Sequence, residues 1–374
     1  MLCLDKKQVD LYCIRPSLIV AIILLMISCA NTPKNKNEAI LEINESTFLQ
    51  IGGIEQYIQI KGSNSNNPII LWLHGGPGFP LTYLSYYYQS GLIDKYTIVS
   101  LEQRGCGRTY YRNRANDCSI QRLLVDIDEL TDYLRKRFNK EKIIILGQSW
   151  GTILGITYVQ KYPEKVAAYI GVGQVVNFDE GKIYAAETAA VVAREHQNYK
   201  DVNELATCMQ SFKTSKTVTD LNLANLERMI LKSLQYLPAE KSISARKQLQ
   251  LGLLSPDLNL NDLRWFLIAS NTHRIFSHQS ELLQYMYFDF DVDTLIDEFK
   301  IPIYFIQGSA DWITPTDMVT QYAGSISAPE IKTIILNGMG HTPFLDDPEQ
   351  FGEALESCLS RIPVPADSNA IQGD

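Results

Sequence analysis

The pentapeptide Gly147-Gln148-Ser149-Trp150-Gly151 sets a serine between two glycines. It follows the apolar run KIIIL (142–146) and precedes a helical pattern that starts near Thr152. A serine at a sharp strand-to-helix turn is held with its hydroxyl exposed, over the positive end of the helix. That is the setting of a nucleophile for acyl transfer; the alternative is a serine that merely caps the helix. A hydroxyl needs a base to take its proton, and the base needs a carboxylate to orient it. His341 lies in NGMGHTP (337–343), just after the apolar run KTIIL (332–336). Asp311 lies in GSADWITP (308–315), just after IPIYFI (301–306). Both residues therefore fall on loops at strand ends, in the order nucleophile, acid, base that this turn requires. Asp346 and Asp347 come too late in that order. His196, His273 and His278 fall in a helical stretch and read as structural or surface residues. A turn-forming role is the alternative for Asp311.

A tetrahedral intermediate also needs backbone donors for its oxyanion. The Trp150 N–H, directly after the serine, is one candidate. The other comes from the glycine-rich HGGPG (74–78) after the run PIILWL (68–73). There Gly76 is the first choice and Gly75 its rival, because bare glycine backbone can approach a substrate closely. His74 precedes Ser149 and reads as a residue that orients this loop. Tyr83, in the tyrosine-rich stretch that follows, is a candidate pocket wall.

These loops need a framework to hold them. YTIVSL (96–101) and VAAYIGV (166–172) join the runs already named, and such short continuous apolar runs read as strands buried on both faces. Residues 47–51 and 56–60 flank Gly52-Gly53 and predict a hairpin. Helical periodicity lies between the runs, clearest at 120–138, with others at 152–161 and 348–360. Alternating strands and helices imply an α/β fold with an open, mostly parallel sheet. The alternation breaks between about 178 and 299. The expected organisation is therefore a core over 48–178 and 299–362, an inserted helical cap over 179–298, and a polar tail over 363–374. A cap inserted there covers the sheet edge where open α/β sheets bind ligands.

The motifs HGGPG (74–78), EQRGCGRT (102–109), GQSWGT (147–152), GSADWITP (308–315) and GMGHTPF (338–344) occur in one order. In that order the sequence resembles the proline iminopeptidase-like α/β hydrolases, over about residues 48–178 and 297–361. The resemblance implies the α/β-hydrolase fold and a Ser149, Asp311, His341 triad. It also implies a peptidase or amidase acting on small peptides, foremost an aminopeptidase that releases N-terminal proline or similar residues. Glu102 stands where that family usually has Asp. In the family, acidic cap residues hold the substrate ammonium; here Glu204 and Glu187 are the candidates taken forward, with Glu180 and Glu281 behind them. The arginine-isoleucine-glutamate-asparagine-histidine cap motif of the family is absent. Arg104 and Arg108 read either as braces near the site or as structural ion pairs. A carboxylesterase or other amidase with the same triad is the alternative, and a non-catalytic surface binding protein is a different one.

The first 29 residues read as an export signal: Lys6, Lys7 and Arg15, the apolar run 18–27, then small residues. MISC (26–29) resembles a bacterial lipobox, which makes Cys29 a lipidation site. Residues 30–47 read as a polar tether. The expected location is a bacterial cell-envelope membrane, on its periplasmic or surface side. A net charge of −8 excludes a basic nucleic-acid footprint. No Cys/His cluster points to a metal, and no cofactor is implied. Cys106 and Cys118 are close enough in sequence to pair, though pairing does not follow from sequence. Nothing in the sequence sets an oligomeric state.

Overall fold

The computed structural model describes residues 42–113, 117–295, 297–360 and 362. The expected signal, Cys29 and the polar tail lie outside the described residues. Eight strands form one sheet in the order β1-β2-β4-β3-β5-β6-β7-β8. They span β1 Ile43–Ile51, β2 Ile54–Gly62, β3 Ile69–Leu73, β4 Thr97–Leu101, β5 Ile143–Gln148, β6 Val166–Val172, β7 Ile303–Gly308 and β8 Ile331–Leu336. The hairpin β1–β2 is antiparallel and joins β4 antiparallel; the remaining neighbours are parallel. β1 begins at Ile43, so residues 43–47 belong to the sheet and not to a tether. All five pair with β2, from Ile43 opposite Gly62 to Thr47 opposite Ile58.

Every residue of β3, β4, β5 and β7 is buried. Alternate residues feed two apolar cores, as a period of two requires. Ile69, Leu71, Ile143 and Ile145 face one core; Ile70, Trp72, Ile144 and Leu146 face the other. β8 departs from the expectation of burial on both faces, with Ile335 49% exposed, because it is the last strand and has a neighbour on one side only.

Helices α1 Gly107–Asn113, α2 Ile120–Arg137 and α3 Trp150–Lys161 come before the cap. α2 buries Leu123, Ile127, Leu130 and Leu134 at three-to-four spacing and ends on Arg135, Lys136 and Arg137, which suit the negative end of a helix. Between β6 and β7 lie α4 Phe178–Glu195, α5 Tyr199–Thr214, α6 Leu223–Tyr236, α7 Ala245–Leu253, α8 Leu260–Ala269, α9 Thr272–His278 and α10 Ser280–Gln284. α4 buries Ala185, Ala186, Ala189, Ala190 and Ala193, a small-residue face that lets α5 and α6 pack closely. α11 Thr316–Ser325 and α12 Pro348–Leu359 complete the core. Among the described residues, no helix is long and apolar enough to cross a membrane.

The arginines of QRGCGR are structural. Arg104 grips Asp126 of α2 with two 2.8 Å hydrogen bonds and donates to the Gly52 carbonyl. Arg108 ties the core to the cap through Asp262 of α8 and the Asp257 carbonyl, while Lys61 of β2 pairs with the Asp257 carboxylate at 2.6 Å. Among the described residues, Cys106, Cys118, Cys208 and Cys358 form no disulfide. Cys106 donates to the Gln103 carbonyl and lies 3.5 Å from His74 Nε2, so its sulfur is engaged elsewhere than in a bridge to Cys118.

Glu102 sits beneath this seam, fully buried, accepting from Thr82 Oγ1 and the Arg108 N–H. Burial pushes its carboxyl up to about 7, against the pull of the Arg108 cation. The folded state therefore keeps a proton that the unfolded chain releases near its ordinary value of 4.5. The linked stability is present below that value and is lost as pH rises through about 7. The stability of wild type to urea should fall across this window relative to Glu102→Gln, and the difference between the two curves should show the slope.

Candidate active site

Ser149 occupies the turn between β5 and α3 with φ 52°, a left-handed conformation that side chains rarely adopt. Two glycines make the turn possible. A Cβ on Gly151 would lie 2.1 Å from the Leu73 carbonyl oxygen, and one on Gly147 would lie 2.5 Å from that of Gly151. The Ser149 N–H donates to Val172 at the end of β6, which fixes the strained residue to the sheet. Its hydroxyl lies 2.8 Å from His341 Nε2.

His341 Nδ1 lies 2.8 Å from Asp311 Oδ2. Asp311 is buried, and its other oxygen accepts the N–H groups of Ile313 and Thr314, both at 2.9 Å. Thr314 Oγ1 donates to Oδ2 at 2.7 Å. Burial opposes ionisation of this carboxyl, but the His341 ring and the Thr314 donors outweigh it and hold Asp311 below the usual carboxylate range. The acid loop is thus built to keep an anion against one edge of the imidazole, while the other edge faces Ser149.

The HGGPG loop lies beside this chain. His74 is buried and pushed down to about 4, chiefly by burial, so it is neutral. Its Nδ1 donates to the Gly75 carbonyl and its Nε2 accepts from the Gln103 N–H. Gln103 in turn donates to the His74 carbonyl and accepts from the Trp150 indole. The Gly75 N–H is already taken by Gln148 Oε1 at 2.8 Å. Gly76 thereby remains the candidate donor in this loop, at φ 125°, where a Cβ would strike the Gly78 nitrogen at 2.4 Å. The Trp150 N–H stands at the first position of α3, where no intrahelical acceptor exists.

Glu204 pairs with Arg228 and Lys232 of α6, and Glu187 pairs with Lys213 of α5. Both were candidates for holding a substrate ammonium, and each carboxylate faces a neighbouring cap cation. Tyr83 packs against Gly252 of α7, at the seam between core and cap. Among the described residues, no group of three His, Cys, Asp or Glu side chains could hold a metal ion.

Sequence reasoning missed Gln103, Gln148, Thr314 and Gly173. The two glutamines sat inside the quoted motifs, but their partners lie on other loops. Gly173 carries no local signal at all: it follows β6 at φ +60°, and a Cβ there would lie 2.9 Å from His341 Cε1.

The α/β hydrolase fold family matches residues 68–348 of the chain. The chain belongs to this family. The α/β hydrolase is similar to the probable aminopeptidase YbaC of Bacillus subtilis (strain 168), 28% identical over 86% of this chain and 97% of that protein. It is 22% identical to a proline iminopeptidase of Lactobacillus helveticus, over 83% of this chain and 95% of that one. Among solved structures, it shares its fold with a proline iminopeptidase-related protein from Thermus thermophilus. That match has a TM-score of 0.52 and 18% identity, over 85% of this chain and 98% of that one.

Gly173 offers a geometric test in this hydrolase. Gly173→Ala should push the His341 ring off line and slow fluorophosphonate labelling of Ser149 at least tenfold, on the order of 1.4 kcal/mol in the barrier. Gly53→Ala is the control, since φ +77° is equally unusual there but no atom lies within 4 Å. It should cost about 1–2 kcal/mol of stability and leave labelling unchanged.

Proposed function

We propose that this α/β hydrolase is a serine aminopeptidase that works through an acyl-enzyme and releases N-terminal proline or similar residues from small peptides. The observation that carries the chemistry is the continuous chain from Asp311 through His341 to Ser149, with 2.8 Å at each link. Likeness along nearly the whole of a probable aminopeptidase supports the peptide substrate class.

In this reading Ser149 Oγ attacks the substrate carbonyl carbon while His341 Nε2 takes its proton. Asp311 stabilises the imidazolium that forms and keeps Nδ1 protonated. The negative oxygen of the tetrahedral intermediate receives the N–H groups of Gly76 and Trp150. His341 then gives its proton to the leaving amine, and the bond between carbonyl carbon and nitrogen breaks. Water, deprotonated by the same imidazole, hydrolyses the ester on Ser149 and restores the enzyme.

A fluorophosphonate probe should label wild type on Ser149, and Ser149→Ala should abolish labelling. Equal labelling of both proteins would refute the nucleophile. Prolyl and other aminoacyl nitroanilides should be cleaved, while their N-acetylated forms should not, because the free ammonium is then missing. Turnover of short-chain nitrophenyl esters with no cleavage of free-amine substrates would make the enzyme an esterase instead. Loss of the serine should lower kcat by at least about 10³-fold.

Export and lipidation at Cys29 complete the proposal, supported by the order of basic, apolar and small residues at the N-terminus. Acylated wild type should fractionate with membranes and Cys29→Ala should not; membrane attachment of the variant would count against the anchor.

A further inference from the structure

We infer that Lys182, on cap helix α4, is a positioning residue for Asp311, acting through the peptide unit that joins Ile313 to Thr314. The inference rests on the triad reading above. Lys182 is 4% exposed, and its Nζ donates to the Ile313 carbonyl at 2.9 Å. The N–H of that same peptide unit, belonging to Thr314, donates to Asp311 Oδ1 at 2.9 Å. A trans peptide is planar and points its C=O and N–H in opposite directions. Holding the carbonyl toward α4 therefore holds the N–H toward the acid. An amine on one side of a peptide also polarises it, which strengthens the donor on the other side.

Burying Lys182 is unfavourable unless its amine finds a partner. Among the described residues, no carboxylate forms an ion pair with it. The Phe178 ring lies 4.2 Å from its nitrogen, and Met229, Ile230, Ser233 and Trp312 line the same small space beside it. None of these neighbours is ionisable. Burial pushes the amine down to about 7, and the charged group that acts against this is Asp311. A lysine that served only to dock the cap would gain more from a surface carboxylate. This one directs its hydrogen bond at the loop that orients the acid, so correct seating of α4 is transmitted to the base.

Lys182→Met keeps the length and removes the donor. Fluorophosphonate labelling of Ser149 should slow about tenfold, the scale on which one hydrogen bond to a charged group acts. The acidic limb of the labelling–pH profile should move to higher pH, because Asp311 loses both a polarised donor and a facing cation. The low-field proton resonance between His341 and Asp311 should shift, with the melting temperature unchanged or raised. A folded Lys182→Met protein with wild-type rate, profile and resonance overturns the inference. A second measurement needs no variant: in wild type, the Thr314 amide resonance should move as the Lys182 amine titrates, followed by its own ¹⁵N signal. An amide that stays fixed across that titration overturns the inference whether or not the variant folds. Failure of the hydrolase reading looks different, since wild type would then not label at all, and the amide readout would still judge the relay.

Discussion

The structure depends on how closely helix α3 approaches strand β3. At Gly151 there is no room for a single carbon beyond the backbone, because the Leu73 carbonyl occupies that space. This proximity forces the chain to reverse within one residue after β5, and Ser149 takes the left-handed conformation that the reversal demands. The strain is sustained because the sheet holds both sides of the turn, with β5 paired to β3 and β6 and the Ser149 N–H tied to Val172. The Ser149 hydroxyl then stands above the sheet, beside the first N–H of α3 and the glycine loop after β3.

Around that turn the framework holds the glycine loop and the His341 loop from two directions. His74 and Gln103 fix the glycine loop from the core, while Trp265 of α8 donates to the Gly78 carbonyl from the cap. The His341 loop is held in the same way. Asp346 accepts from the Gly340 N–H beside His341 and from the Ile243 N–H of the cap, and Lys241 N–H donates to the Gly338 carbonyl. Gln279 reaches from the cap to the Gly105 carbonyl. With Arg108 and Lys61 anchored at Asp262 and Asp257, the cap is a clamp on the loops as well as a cover over them. A side-chain relay with 2.8 Å links needs this kind of support, because small displacements weaken such hydrogen bonds steeply.

Much of the fold was legible because its strands are buried on both faces and so read as continuous apolar runs. The outer strands were harder. β8 is half exposed, and β1 extends back into a stretch whose polarity suggested a tether, because an edge strand with one covered face keeps polar residues on the other. Ser149, Asp311 and His341 were legible because they stand in one order in loops at strand ends. The cap was legible as helix but not as a binding surface, since ion pairs such as Glu204 with Arg228 and Lys232 join residues on separate helices.

The sequence by itself determined the Ser149 turn, the order of Ser149, Asp311 and His341 and the alternation that builds the sheet. Each of these is a local pattern enforced by backbone geometry or by the period of a strand. The tertiary structure alone decided that the Gly75 N–H is taken, because Gln148 claims it from 73 residues away. It also decided that Arg104 and Arg108 are structural, that Cys106 and Cys118 are not bridged and that Gly173 leaves space for His341. These outcomes depend on which groups meet across the sheet and the cap, and a buried donor takes whatever acceptor the packing brings to it.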